Sequence, residues 1–157
     1  LLENIKQTIP DKIDAMASPG SIQAFIQAAL ERRSEKQTPL VLQRLPEHVA
    51  ITLETIGAKS NERSVSLDHD YVLHIHDGHS LEKELLRGQA PITAEDLSKV
   101  AILLETASSI KLGTPSHSKN GAMRISVDAE DKDYRYTVIF EVRKHHVVPF
   151  TMYKRKR

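Results

Sequence analysis

The sequence predicts an α+β fold in which N-terminal helices are followed by a C-terminal antiparallel β-meander. Apolar residues recur at helical spacing between residues 22 and 30 and again after Thr93. From Met123 onward, apolar residues alternate with polar ones, which is the period of strands with one buried face. Because the helical patterns precede the strand patterns, we expect one sheet of about three to five strands with helices on its apolar face.

The N-terminal part of the chain is predicted to be helical. Leu1–Ile9 fits a short helix. After the Pro19-Gly20 break, Ser21 is predicted to cap a helix that runs to about Glu35. Apolar residues on one face of this helix would pack against the sheet.

The middle of the chain is predicted to contain short elements. Leu40–Leu42 fits a strand, whereas residues 48–56 fit either a helix or a strand. Ser64–Leu67 alternates like a short strand, and Asp68 follows it at the position of an N-cap. The helix that begins there is expected to end at Gly78, because glycine favours the C-terminal cap.

A second capped helix is predicted before the meander. Thr93 is a good N-cap, and Glu95 and Asp96 place negative charge in the first turn. The apolar spacing extends this helix to about Thr106.

In the final third of the chain, apolar and polar residues alternate with a period of two, so successive side chains are expected on opposite faces of the sheet. Apolar residues occupy every second position from Tyr134 to Val142, and a hairpin turn is expected at Lys144–His146. In the last strand, Val148, Phe150 and Met152 are predicted on one face, opposite Val147, Pro149, Thr151 and Tyr153. Proline cannot donate to a sheet hydrogen bond, so Pro149 indicates an edge strand or a bulge.

Composition restricts the class of protein. The chain has 157 residues, 39% hydrophobic and 27% charged, which fits a soluble globular protein with a core. No apolar run approaches the roughly 20 residues that cross a membrane. The absence of cysteine excludes disulfides, thiol catalysis and thiolate metal sites.

Because the net charge is only +1, a nucleic-acid contact needs a local basic surface such as Lys154–Arg157. This basic segment equally fits a solvated tail.

We divide the chain into an N-terminal helical segment, residues 1–37, and an α+β domain, residues 38–157. The chain begins with Leu rather than Met, so we expect it to be part of a larger polypeptide.

The segment from Asp68 to His79 is the strongest candidate for chemistry. It contains four of the eight histidines, alternating with aspartates and apolar residues. Histidine titrates near neutral pH, so such a segment can transfer protons, bind a metal or hold an anion. His74 lies within the predicted helix. Because the helix is expected to end at Gly78, the chain could turn there and bring His79 to the same side as His74.

The polar face of the predicted meander supplies groups that complement these histidines. It carries Arg143, Thr151 and Tyr153, together with Arg124, Arg135 and Thr137. Two histidines, a cation and hydroxyl groups suit cleavage of a ribose-phosphate chain, in which one group takes a proton from the 2′-hydroxyl and another protonates the leaving oxygen. Thr151 and Tyr153 also fit as ordinary strand residues, because both types favour strands.

Three motifs in this order resemble one known family. The first runs Val65-Ser66-Leu67-Asp68, Val72-Leu73-His74-Ile75 and Gly78-His79; the others are Pro91–Leu97 and Phe150–Lys154. With about Leu40 to Lys154 covered, the chain resembles the Barnase–EndoU–Colicin E5/D–RelE (BECR) superfamily. It is more narrowly similar to phage-associated nuclease domains at the C-terminal ends of phage head-morphogenesis proteins, polyvalent proteins and polymorphic toxins. The chain departs from the pattern by the extra residues Ser80–Ala90 and by His76.

The resemblance implies helices followed by a four-stranded antiparallel sheet, and RNA cleavage without a metal or other cofactor. Carried over by position, the site contains two groups: catalytic His74, His79, Thr151 and Tyr153, and phosphate-binding Arg143 and Lys154. The implied partners are an RNA substrate and, for a toxin, an acidic immunity protein or antitoxin. The implied place of action is the cytoplasm of a host or target cell, reached by secretion or with a phage particle.

Two other functions fit the same residues. His69, Asp70, His74, His76 and His79 are all types that bind divalent metals, which would give a His/Asp metal-dependent hydrolase, although the His-Glu-x-x-His spacing is absent. A non-catalytic module that binds nucleic acid or protein is the second. Phosphate-binding glycine loops, serine-hydrolase elbows and dinucleotide fingerprints are absent from the sequence.

Overall fold

The computed structural model describes residues 17–57, 63–78, 87–113 and 123–157. The predicted helix Leu1–Ile9 lies outside these ranges. The helices are α1 Pro19–Glu31, α2 Glu47–Thr55, α3 His69–Gly78, α4 Ala94–Ser98 and α5 Val100–Glu105. The strands are β1 Leu40–Arg44, β2 Ser64–Leu67, β3 Ser109–Leu112, β4 Met123–Glu130, β5 Tyr134–Val142 and β6 His146–Lys156.

The strands form one six-stranded sheet in the order β1-β2-β6-β5-β4-β3. The pairs β3–β4, β4–β5, β5–β6 and β1–β2 are antiparallel, whereas β2 lies parallel to the start of β6. The α+β class is confirmed. The expectation of a purely antiparallel sheet of up to five strands is wrong, because β1 and β2 extend the sheet beyond β6 and make it mixed.

The helices and one face of the sheet enclose a single core. In α1, Phe25, Ile26 and Ala29 are buried, and this helix packs against α3, α4 and β1. The helix of the predicted segment 1–37 thus shares the core of the sheet that follows it. Among the described helices, none combines the length and the hydrophobicity of a membrane-spanning segment.

Local capping chemistry explains where the helices begin. Ser18, not Ser21, caps α1: its hydroxyl accepts a hydrogen bond from the Ser21 amide, and Pro19 occupies the first helical turn. The predicted cap at Thr93 is confirmed, because Thr93 and Asp96 form a reciprocal capping box. The predicted helix to Thr106 is interrupted at Lys99, which separates α4 from α5.

A bulge in β6 redirects its side chains. Ile139 pairs with Thr151 but Phe140 pairs with Pro149, so Phe150 is an extra residue on its strand. Pro149 has no amide hydrogen to donate, which favours an irregularity at this point. The predicted bulge is confirmed, although β6 lies inside the sheet rather than at an edge.

The basic C-terminal residues continue the strand. β6 runs to Lys156, and the Arg157 amide donates to the Asp133 carbonyl. This end of the chain is therefore paired with β5, and it is not a loose tail.

Candidate active site

The sheet face opposite the core, here called the outward face, carries the polar residues of β4, β5 and β6. Across these strands, Ser126 is aligned with Ile139 and Thr151, and Asp128 is aligned with Thr137 and Tyr153. Directly opposed residues in antiparallel strands share a face. Thr151 and Tyr153 therefore lie on the same face, as the period of two predicts.

His74 comes to this face from α3. The helix follows β2 and packs against β6, with Val72 and Ile75 buried on its inner side. His74 itself is exposed, and its ring stacks on Phe150 with 5.0 Å between centroids and 25° between planes. The stacking places the imidazole beside the residue that precedes Thr151. His79, the second predicted acid/base residue, lies outside the described residues.

Phe150 joins three side chains of the candidate site. Tyr71 approaches it edge-on at 5.1 Å between centroids, and the guanidinium carbon of Arg124 lies 3.8 Å from the ring centroid. The alternation of residues places Arg124 on the polar face, but the sequence motifs do not identify it as a site residue. They do not identify Phe150 or Tyr71 either. The bulge-forming Pro149 was the one local signal that side-chain alternation would fail here.

Arg143 is engaged in contacts within the chain. Its Nε donates to Glu141 at 3.0 Å and its Nη1 to Asp68 at 3.2 Å. Burial lowers the pKa of Arg143, but hydrogen bonds with Tyr71, Glu141 and Asp68 outweigh that effect and raise the pKa above its ordinary value. The predicted phosphate-binding role does not fit a guanidinium already held by two carboxylates. Arg143 instead ties the start of α3 to β5.

Tyr71 completes this network from α3. Its hydroxyl donates to Glu141 Oε2 at 2.8 Å. Burial, with the nearby Glu141 carboxylate, raises the pKa of the Tyr71 phenol despite the opposing effect of Arg143. The phenol therefore stays protonated at neutral pH and acts as a hydrogen-bond donor.

Lys154 lies on the opposite face from Thr151 and Tyr153. It is aligned with the buried Tyr136, its Nζ is 2.7 Å from Asp96 Oδ2, and it lies 4.2 Å from the centroid of the Tyr134 ring. The ammonium is buried in this ion pair. The predicted phosphate-binding role of Lys154 does not fit this position, because its charge is neutralised within the core side of the sheet.

Thr151 and Tyr153 line different cavities. Thr151 borders a cavity of about 390 Å³ together with Arg124 and Phe150. Tyr153 borders a second cavity of about 410 Å³ that includes Thr137 and Asp128. In place of the predicted single cleft opposite His74, the outward face thus has two cavities. His74 contacts Phe150, which lines the cavity that Thr151 borders.

The other histidines of the α3 segment have local partners. His69 is buried: its Nε2 lies 2.8 Å from the Arg33 carbonyl and its Nδ1 lies 3.3 Å from the Gln37 amide. His76 contacts Asp77 at 3.3 Å. Over the described ranges, His, Asp and Glu side chains form no group of three that could hold a metal ion.

Comparison with protein-family models, with curated proteins and with solved structures gives no significant match. The residues of this chain therefore carry the functional inference by themselves.

Proposed function

We propose that this chain is a toxin-type endoribonuclease domain that cleaves RNA without a metal ion. One observation carries the proposal: the exposed His74 ring stacks on Phe150, next to Thr151, and the same aromatic ring contacts Arg124. A proton-transfer group, a hydroxyl and a cation thereby converge on one part of the outward face. These are the groups that ribose-phosphate cleavage requires.

The reaction that suits these groups is intramolecular transesterification. A neutral histidine takes the proton from the ribose 2′-hydroxyl, and the 2′-oxygen forms a bond to phosphorus. The bond to the 5′-oxygen breaks, and a second acid donates a proton to that leaving oxygen. The products are a 2′,3′-cyclic phosphate and a 5′-hydroxyl. We assign the two proton transfers to His74 and His79, and we assign stabilisation of the phosphorane charge to cations and hydroxyls of the outward face.

Asp68, Glu141 and Arg143 serve this site as positioning residues. Asp68 accepts hydrogen bonds from the amides of Asp70 and Tyr71, and it also pairs with Arg143. This arrangement fixes the start of α3 relative to β5. The position of His74 along the outward face follows from it.

A toxin of this kind needs an inhibitor in the cell that makes it. The exposed Arg135, Arg155 and Lys156 lie near the end of the same strands, and they favour an acidic immunity protein or antitoxin that covers this end of the sheet. The phage or secreted origin implied by the sequence motifs agrees with such a pair.

The proposal is tested with the purified chain and a fluorescently labelled single-stranded RNA, in the presence of EDTA. We expect cleavage that leaves a 2′,3′-cyclic phosphate, and His74→Ala and His79→Ala each to lower the rate about 10²–10⁴-fold. His48→Ala is the matched control, because His48 is an exposed histidine on α2. Circular dichroism and thermal unfolding verify that each variant folds.

Four outcomes count against the proposal. Intact RNA with the wild-type chain removes the nuclease assignment, and RNA binding without cleavage favours the non-catalytic module. Cleavage that EDTA abolishes and Mg²⁺ or Zn²⁺ restores favours the metal-dependent hydrolase. If His74→Ala and His79→Ala cleave as fast as His48→Ala, the acid/base assignment is wrong.

A further inference from the structure

Arg124 is a buried cation without matching acceptors in the described part of the chain. Its side chain is 8% exposed, and its Nε has no hydrogen-bond partner there. The nearest carboxylate oxygen, Glu141 Oε2, lies 3.7 Å from Nη2, which is beyond hydrogen-bond distance. Burial of a guanidinium without hydrogen-bond acceptors is costly. The contacts within the described chain therefore do not explain why an arginine occupies this position.

Glu141 does not provide that explanation, because its hydrogen bonds are with other groups and none reaches Arg124. The Tyr71 hydroxyl donates to Glu141 Oε2 at 2.8 Å and Arg143 Nε donates to Oε1 at 3.0 Å. Arg143 has the short, paired contacts of a structural arginine, whereas Arg124 has only a longer ion pair and the face of Phe150. The donors of Arg124 are thus arranged for an acceptor that the described chain does not supply.

A cavity of about 390 Å³ adjoins this guanidinium on the outward face. Ser126 and Thr151 bring hydroxyl groups to its wall, and Lys111 brings a second cation. Ile139 and Phe150 supply apolar surface, so the cavity combines several donors with walls that suit a ring.

We propose that this cavity is an anion subsite that binds a phosphate group of a nucleic-acid strand. The fork of Arg124 would donate to two phosphate oxygens, and the hydroxyl of Ser126 would donate to another. A tetrahedral phosphate offers more acceptors than a carboxylate, which fits this set of donors, and the apolar walls would contact the attached sugar or base. The identity of the strand as RNA rests on the proposed function. Because Phe150 contacts both Arg124 and His74, the bound phosphate would lie beside the proposed proton-transfer group.

The test measures binding apart from cleavage. A labelled 2′-O-methyl RNA oligonucleotide lacks the attacking 2′-hydroxyl, and its affinity is measured by fluorescence anisotropy over a series of salt concentrations. We expect Arg124→Gln to weaken binding at least about tenfold and to reduce the salt slope by about one. Arg124→Lys keeps the charge but loses the bidentate guanidinium, so its affinity should lie between those of the wild type and Arg124→Gln. The control Lys132→Gln removes one exposed charge from the turn of the same hairpin and should change the affinity less than about threefold.

Stability distinguishes a ligand-binding arginine from a structural one. If Arg124 serves a ligand, Arg124→Met should unfold at the same temperature as the wild type or higher, because a costly buried charge is removed and the stem is kept. A large decrease in melting temperature would overturn the proposal by making Arg124 a structural residue. Equal oligonucleotide affinity for Arg124→Gln and Lys132→Gln would also overturn it.

The two proposals can fail separately. If the wild type cleaves RNA and Arg124→Gln binds and cleaves normally, the subsite is wrong and the nuclease assignment stands. If the wild type never cleaves RNA but loses oligonucleotide binding on Arg124→Gln, the subsite stands without the nuclease activity.

Discussion

Phe150 sets the relative positions of the side chains in the candidate site. It stacks with His74, meets the edge of Tyr71 and lies under the guanidinium of Arg124. Aromatic and cation–π contacts each contribute about 0.5–2 kcal/mol, so together they hold these groups about as firmly as hydrogen bonds would. The position of the exposed imidazole is thus fixed by packing on a single ring.

His146 is the residue whose titration should affect stability. Its Nδ1 lies 2.8 Å from Ser66 Oγ and 3.1 Å from Ser64 Oγ, where β2 pairs with β6. Burial, assisted by repulsion from Arg143 and His145, lowers the pKa of His146. The unfolded chain, whose histidine pKa is about 6.5, therefore binds this proton more readily than the folded chain.

We predict that the wild type loses stability as the pH falls below about 6.5, down to the folded pKa of His146. His146→Asn should flatten this dependence, because it keeps a polar group near the two serines but does not titrate. Urea unfolding at pH 7.5 and pH 5.5 gives the difference in unfolding free energy for each variant. His48→Asn serves as the control and should retain the wild-type difference. The prediction fails if His146→Asn retains it as well.

At the scale of elements, α3 connects the core to the candidate site. Its N-terminus is fixed by Asp68, which follows the buried strand β2 and caps the helix with Oδ1 while Oδ2 contacts Arg143. Its inner side is fixed by Val72 and Ile75. A helix held in this way presents His74 to Phe150 without a hydrogen bond to the imidazole in the described part of the chain.

We predict that Asp68→Ala destabilises the fold by about 1 kcal/mol more than Asp68→Ser, because serine retains the cap and alanine does not. Both variants lose the contact with Arg143. Asp70→Ser is the control: in the described part of the chain the Asp70 side chain forms an exposed ion pair with Lys36 at 3.1 Å, so its loss should destabilise the fold less than Asp68→Ala does. Chemical denaturation measures all three. Equal stability of Asp68→Ala and Asp68→Ser would show that the cap is not what fixes α3.

At the scale of the whole molecule, β6 is the structural centre. It pairs with β5 along most of its length and with β2 at its start, whereas β1 and β3 form the two edges of the sheet. Both of its flanks are therefore hydrogen-bonded near Val147, and its core-side residues are buried. We therefore expect the strand that carries the candidate site to open only when the sheet as a whole opens.

Hydrogen exchange should show that the central strands of the sheet are more stable than its edge strand β3. We predict that amides of β5 and of the first half of β6 exchange only through global unfolding, whereas amides of the edge strand β3 exchange at least about tenfold faster. Exchange followed by NMR in the native state gives the protection of each amide. Protection of β3 equal to that of β5 would contradict the idea that stability is concentrated at the centre of the sheet.

Local sequence patterns predict the α+β class, the period-two strands and the caps at Asp68 and Thr93. They also place Arg124, Thr151 and Tyr153 on one face. These features depend on local chemistry: the alternation of side chains along a strand and the ability of a short side chain to satisfy free amides at a helix start.

Which of these residues come into contact depends on the packing of distant elements. The parallel insertion of β2 beside β6 brings α3 and His74 to Phe150, and the bulge at Pro149 turns Phe150 outward. The partners of charged residues follow from the same packing: Lys154 is neutralised by Asp96, whereas Arg124 has a 3.7 Å ion pair with Glu141 and an Nε without a hydrogen-bond partner in the described chain. Strand order, register and charge pairing depend on residues far apart in the chain, so no local pattern specifies them.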